Sequence, residues 1–214
     1  MGTFKKGILG SFSGKVGNVV GASWRNITYM RSLPSVTRNP RTEKQLSQRN
    51  KFSLIGKFLK TIIPVIRMGF KNIAGATNSA YSAAMSYNLQ NAVKGEYPNF
   101  EIDFPRVGIA LGELYPANNA KIAAEAGKLL FSWDATLQNN TSTEDRVMAL
   151  VYNPVKGEAA YDLNMATRAD GTGQLEVPPT WEGDTVETYL AFASEDGTQV
   201  SNTVYTGSID IVVA

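Results

Sequence analysis

Thr185-Val186-Glu187-Thr188-Tyr189-Leu190-Ala191-Phe192-Ala193 is the run on which the fold turns. Successive side chains of a strand point to opposite sides, so Tyr189, Ala191 and Ala193 share one face while Leu190 and Phe192 share the other. Both faces are apolar, which fits a central strand or one covered by helices. A half-solvated strand would alternate with polar residues. Working outward, similar short apolar runs recur between turn signals. Strands are expected near Val107–Leu111, Lys121–Ala124, Lys128–Asp134, Val147–Tyr152, Ala159–Ala166, Gly173–Val177 and Val200–Val213, the last splitting near Gly207. Asp170-Gly171 and Asp196-Gly197 read as hairpin turns, because glycine accepts a positive φ. Trp133 alternates as an inward-facing core residue would. Residues 99–214 therefore predict an immunoglobulin-like β-sandwich.

Upstream the period changes. Thr42 and Gln45 fit a capping box, and behind them Phe52, Ile55, Leu59, Ile62 and Ile66 recur at spacings of three and four. Pro64 lacks a backbone donor and is expected to end or kink that helix. A second helix is expected from Asn78, with the stripe Tyr81, Met85, Leu89 and Ala92 and with Gly95 as its terminator. Residues 41–98 thus predict a helical hairpin. Residues 1–40 are glycine-rich, and Val16, Val19, Val20, Trp24, Ile27 and Tyr29 look like two short extended runs. A stretch burying so little is expected to order only against its own domain or a neighbour. The expected class is α+β: a basic N-terminal arm with short strands, the helical hairpin, then the sandwich.

The composition excludes a good deal of chemistry. The chain has 214 residues, 43% apolar and 19% charged, enough for a packed core. It has no cysteine and no histidine. Disulfides, thiolate metal sites, a cysteine nucleophile, histidine triads and ordinary zinc sites are all impossible. Gly10-x-x-x-Gly14-Lys15-Val16 misses the phosphate-binding P-loop in its spacing and in the residue after the lysine. Of the carboxylate pairs, Glu144-Asp145 and Glu195-Asp196 fall in turns, where acids are usually solvated. Glu101 and Asp103 would face the same side of an extended stretch and could hold a hard cation. None of this singles out a catalytic set. The expectation is a non-enzyme with no cofactor and no metal.

Charge is distributed unevenly. Residues 1–72 hold fourteen Lys and Arg against Glu43 alone, and residues 73–214 hold seven bases against eighteen acids. Such asymmetry suggests a basic partner-binding segment joined to an acidic domain. The candidate partner-binding residues are the apolar anchors Trp24, Ile27 and Tyr29 and the cations Arg25, Arg31, Arg38, Arg41, Arg49 and Lys51. Two partners fit: an acidic protein surface, including another copy of the chain, and nucleic acid, held through phosphates with stacking on the aromatics. On the predicted helix the charges spread over more than one face. No apolar run is long enough to span a membrane. Gly7, Gly10, Ser11 and Ser13 break the stretch behind Lys5 and Lys6, so no secretory signal is read; the expected setting is the cytoplasm or an assembled particle.

The string Gly10-Ser11-Phe12-Ser13-Gly14-Lys15-Val16-Gly17-Asn18-Val19-Val20-Gly21-Ala22-Ser23-Trp24 is distinctive. With Asn39-Pro40-Arg41-Thr42, Gln45, Arg49 and Phe52, then Ser82-Ala83-Ala84-Met85-Ser86-Tyr87-Asn88 and the region from Asp196-Gly197 to Tyr205, it resembles an uncharacterised family of Bacteroidota proteins, domain of unknown function 6266. That resemblance implies no activity. Locally, Asn39 to Phe52 is similar to short basic segments of phage- and prophage-encoded virion-associated proteins, which implies a particle or other multi-subunit setting.

Overall fold

The structure is a computed structural model that describes residues 10–24, 27–33, 42–74, 78–138 and 140–212, together with the backbone of residues 3–4. The chain divides into two compact units, Met1–Glu43 and Lys44–Ala214. Its mixture of helices and antiparallel sheets places it in the α+β class.

The first unit is a sheet of β1 (Thr3–Phe4), β2 (Phe12–Val16), β3 (Val19–Trp24) and β4 (Ile27–Ser32), in that order and antiparallel. Gly17 and Asn18 join β2 to β3, with Gly17 at a φ of 58°. Gly21 of β3 allows a close approach. A Cβ there would lie 2.3 Å from the Phe12 carbonyl oxygen and 2.7 Å from the Phe12 ring, so only glycine lets that ring lie across the strand.

The second unit opens with α1 (Glu43–Thr61) and α2 (Ile63–Gly69). Pro64 falls in the first turn of α2, so the helix breaks at Ile62 as the missing donor requires. The expected stripe is buried at Ile55, Leu59, Ile62 and Ile66. Phe52 is the exception and stays exposed, because the core cluster begins only at Leu54 and Ile55. Helix α3 (Ala80–Asn91) is capped by Ser79, whose Oγ accepts the Ser82 amide, one residue after the expected Asn78. Gly95 does not end this helix; Ala92 does, and Gly95 instead shapes the hairpin of β5 (Val93–Glu96) and β6 (Asn99–Ile102).

Two further antiparallel sheets complete the unit. One runs β10-β9-β12-β13, from β9 (Arg146–Asn153), β10 (Glu158–Asp162), β12 (Thr185–Ala193) and β13 (Val204–Asp210). The other runs β11-β8-β7, from β7 (Lys121–Glu125), β8 (Lys128–Ser132) and β11 (Thr172–Glu176). Strand β12 spans the expected residues and lies between β9 and β13. Its two apolar faces have two destinations. Leu190 and Phe192 join Leu129, Phe131, Trp133, Val147 and Val151 in a cluster shared by both sheets. Tyr189, with Leu150 and Tyr152 of β9, joins the helical residues Ile55, Phe58, Leu59 and Met85. Phe58 meets Tyr152 edge-on at 4.8 Å.

Three strand expectations and one hairpin expectation need correction. Val107–Leu111 is buried but forms no strand, because other groups take its donors. The Gly108 amide donates to Asn88 Oδ1, those of Ile109 and Ala110 to Thr203 Oγ1, and that of Leu111 to the Gly69 carbonyl. The strand expected over Ala159–Ala166 stops at Asp162, whose Oδ1 accepts the Asn164 amide in a turn. The strand expected from Val200 begins only at Val204, runs to Asp210 and does not split at Gly207. Thr206 is an extra residue opposite Thr188 and Tyr189, and the bulge bends one continuous strand. Asp170-Gly171 makes a turn, with Gly171 at a φ of 65°, but not a hairpin, since β10 and β11 lie in different sheets. Asp196-Gly197 does lie in the turn between neighbours β12 and β13, closed by the Ala193–Val200 bridge.

Candidate interaction surface

The register of the first unit sorts its side chains. Directly paired residues of an antiparallel ladder share a face. Lys15 pairs with Val20, Val20 with Arg31, Ala22 with Tyr29, and Trp24 with Ile27. Trp24, Ile27, Tyr29 and Arg31 therefore stand on one face with Lys15. The opposite face carries Phe12, Val16, Val19, Thr28 and Met30, with Gly21 between Phe12 and Met30. A groove of about 280 Å³ lies there, lined by Gly10, Ser11, Phe12, Thr28, Tyr29 and Met30. Every residue of β4 is exposed, including Ile27 at 54%, Tyr29 at 45% and Met30 at 71%. Strand β4 is also the last of its sheet, so its outer row of backbone groups has no strand partner among the described residues.

The remaining predicted residues are not gathered there. Arg25, Arg38 and Arg41 lie outside the described residues. Arg49 and Lys51 stand on α1 in the second unit. Arg49 is exposed, whereas Lys51 is partly buried with Nζ 4.7 Å from the centre of the Phe100 ring, a cation–π contact within the unit. The basic segment is thus divided between two bodies.

Elsewhere several charged and polar groups are spent on structure. Asp145, expected in a solvated turn, is buried against Arg168, its Oδ2 accepting from Arg168 Nε at 3.0 Å and from the Ser142 amide. The Arg168 guanidinium also donates to the Tyr115 carbonyl and stacks 3.7 Å over the Phe192 ring. Desolvation lowers its pKa and the bond to Asp145 opposes that shift. Sequence reasoning missed this pair because the partners are 23 residues apart. Glu101 pairs with Lys94 at 3.8 Å and Asp103 with Arg106 at 3.5 Å, so the two acids serve different cations. Asp196 is held down to about 2 by the Ser194 hydroxyl, then by the Thr198 amide and hydroxyl. The Tyr205 phenol is pushed up to about 12 by desolvation and by its bond to Glu187. Among the described residues no buried side-chain polar atom lacks a partner, no three acids gather as metal ligands, and no helix is long and apolar enough to cross a membrane.

No curated protein and no solved structure matches this chain. The profile of a family of unknown function, DUF6266, matches residues 11–207, from β2 through the helices into β13; the chain belongs to that family.

Proposed function

We propose that this chain is a non-enzymatic assembly protein whose basic N-terminal segment, residues 1–40, acts as an arm that docks on an acidic surface of a neighbouring subunit or protein partner. One observation carries this reading: Trp24, Ile27, Tyr29 and Arg31 share a face at the edge of a small sheet, and all four are exposed. Aromatic residues and arginine are the types enriched at protein interface cores. An uncovered edge strand adds a ladder of backbone groups ready to pair with another chain. Burying half-exposed Trp24, Ile27 and Tyr29 would contribute roughly 1 kcal/mol each.

The receiving surface would be acidic, and residues 73–214 hold eighteen acids against seven bases. Opposed charge on the two parts of one chain favours head-to-tail contact between copies. We read the acidic part as an immunoglobulin-like sandwich. The supporting features are the strand orders β11-β8-β7 and β10-β9-β12-β13 and the apolar cluster that the two sheets share. The setting that fits is a bacterial multi-subunit assembly, in Bacteroidota by the resemblance, or a virion or phage-derived particle.

Sedimentation velocity on three proteins tests this: the full chain, a chain lacking residues 1–40, and the exposed-face variant Ile27→Ser/Tyr29→Ser. The full chain should form dimers or larger species that dissociate as salt rises, and the other two should stay monomeric. Identical monomers for all three at every concentration and salt would overturn the proposal.

A further inference from the structure

The cations of α1, of α2 and of the turn that follows α2 lie in a pattern that the helix break conceals. Arg49, Ser53, Lys57, Lys60, Pro64, Arg67 and Lys71 are spaced by fours and threes, and all seven are exposed. Between them, displaced around the helix, run the buried Ile55, Leu59, Ile62 and Ile66. Arg49, Lys57 and Lys60 fall within about 80° of arc on α1 at 100° per residue. Lys44 and Lys51 lie off this arc, so the cations of α1 occupy more than one face, three of the five being grouped on one side. On α1 alone, Arg49 to Lys60 cover roughly 17 Å at 1.5 Å per residue.

Three properties set it apart. Residues 44–72 contain no acid, and none of the five stripe cations forms an ion pair among the described residues. Arg49, Lys57, Lys60 and Arg67 also make no side-chain hydrogen bond there, while Lys71 Nζ donates to the Gly197 carbonyl at 2.9 Å. At the far end, Arg67 and Lys71 line a groove of about 550 Å³ with Arg146, and there Glu195 and Asp196 close it with negative charge. Apart from Pro64, the seven positions carry no apolar side chain, and exposed Phe52 only flanks them on α1.

We infer that this stripe is a phosphate-backbone interface for nucleic acid, separate from the face used for protein docking and independent of that reading. A protein–protein contact needs apolar or aromatic groups at its centre, which the stripe lacks. Backbone phosphates need only cations and polar donors in a row, and binding them releases condensed counterions. The carboxylates beyond Lys71 repel phosphates and mark where the bound strand ends.

Fluorescence anisotropy with a labelled 20-base-pair DNA duplex and a labelled 20-mer single strand, on the full chain, tests this. Five phosphate contacts give a slope of log affinity against log salt of about −4.5 for the duplex, a loss of about 500-fold between 50 and 200 mM salt. The variant Lys57→Ala/Lys60→Ala/Arg67→Ala should bind at least tenfold more weakly at low salt, with a slope shallower by about 2.7. Lys44→Ala, exposed on α1 but off the stripe, should leave both values unchanged. If the triple variant loses its helical circular dichroism, Lys57→Ala and Arg67→Ala read singly should each remove about 0.9 from the slope. Absence of binding to both DNAs at low salt overturns the inference, as does undiminished binding by folded stripe variants. Poly-glutamate binding the stripe as tightly as DNA overturns it in favour of an acidic protein surface.

Discussion

Replacing Asp145 by alanine removes the acceptor for Arg168 Nε at 3.0 Å and leaves a guanidinium 1% exposed with one remaining strong partner, the Tyr115 carbonyl. The Ser142 amide loses its acceptor as well. Breaking a buried ion pair from one side costs about 3–5 kcal/mol, because the surviving charge is desolvated without compensation. Stacking on Phe192 at 3.7 Å does not move, so the lower half of that range is expected. In a unit of this size each kcal/mol lowers the melting temperature by about 2–4 °C, for a fall of about 6–16 °C. Urea unfolding followed by tryptophan fluorescence reads the loss directly, since Trp133 and Trp181 are buried in the same cluster.

The sharper form of the test is a double-mutant cycle with Arg168→Met. Methionine fills much of the stem volume without a charge, so the variant carrying both changes should be less destabilised than the sum of the singles by at least about 2 kcal/mol. A cost below about 1 kcal/mol for Asp145→Ala, or strict additivity in the cycle, would refute the claim that the pair acts as one buried unit.

Two other predictions rest on named contacts. Asn88 is fully buried on α3, donating to the Ala84 and Gly108 carbonyls and accepting from the Gly108 amide. Asn88→Ala should cost about 2–4 kcal/mol in urea unfolding and should speed hydrogen exchange at Gly108, whose backbone groups it orphans. The Tyr205 phenol is raised to about 12 in the folded chain. Its stabilising contribution is complete below the unfolded pKa of about 10 and is lost as pH rises through the folded value. Tyr205→Phe should therefore flatten the fall of stability above pH 10 in alkaline unfolding curves, and an unchanged slope would sink the assignment.

How much of this was legible in the sequence depends on whether the signal was local. Strand β12 could be read because its two apolar faces report two neighbours. The extended run at residues 107–111 looked the same by composition. It is no strand, because its donors go to Asn88 and Thr203, residues 20 and 94 positions away along the chain. The β5–β6 hairpin was missed because its strands are only four residues long: Phe100 and Ile102 alternate with Asn99 and Glu101 in β6, but β5 offers Val93 alone. In the first unit, Trp24, Ile27 and Tyr29 were identifiable as large groups in extended runs. Their common face was not, since it follows from the pairing of Trp24 with Ile27 across a two-residue connection. Asp145 was hidden by its neighbour: Glu144 beside it is exposed, and nothing local distinguishes the two acids.

The charge asymmetry was plain from the sequence, but it merged two surfaces of opposite character. On the first unit the described face has three large apolar groups and two cations, Lys15 and Arg31. On α1, α2 and the turn after them the stripe has five cations and no large apolar group. The docking face combines apolar burial with charge, whereas the stripe offers charge alone, so the two surfaces separate by which substitutions disable each behaviour. Ile27→Ser/Tyr29→Ser should abolish self-association and leave the salt slope for DNA intact. The lysine and arginine substitutions on the helices should do the reverse. If either set of changes disables both behaviours, the two surfaces are one, and the division of labour between sheet edge and helix stripe is wrong.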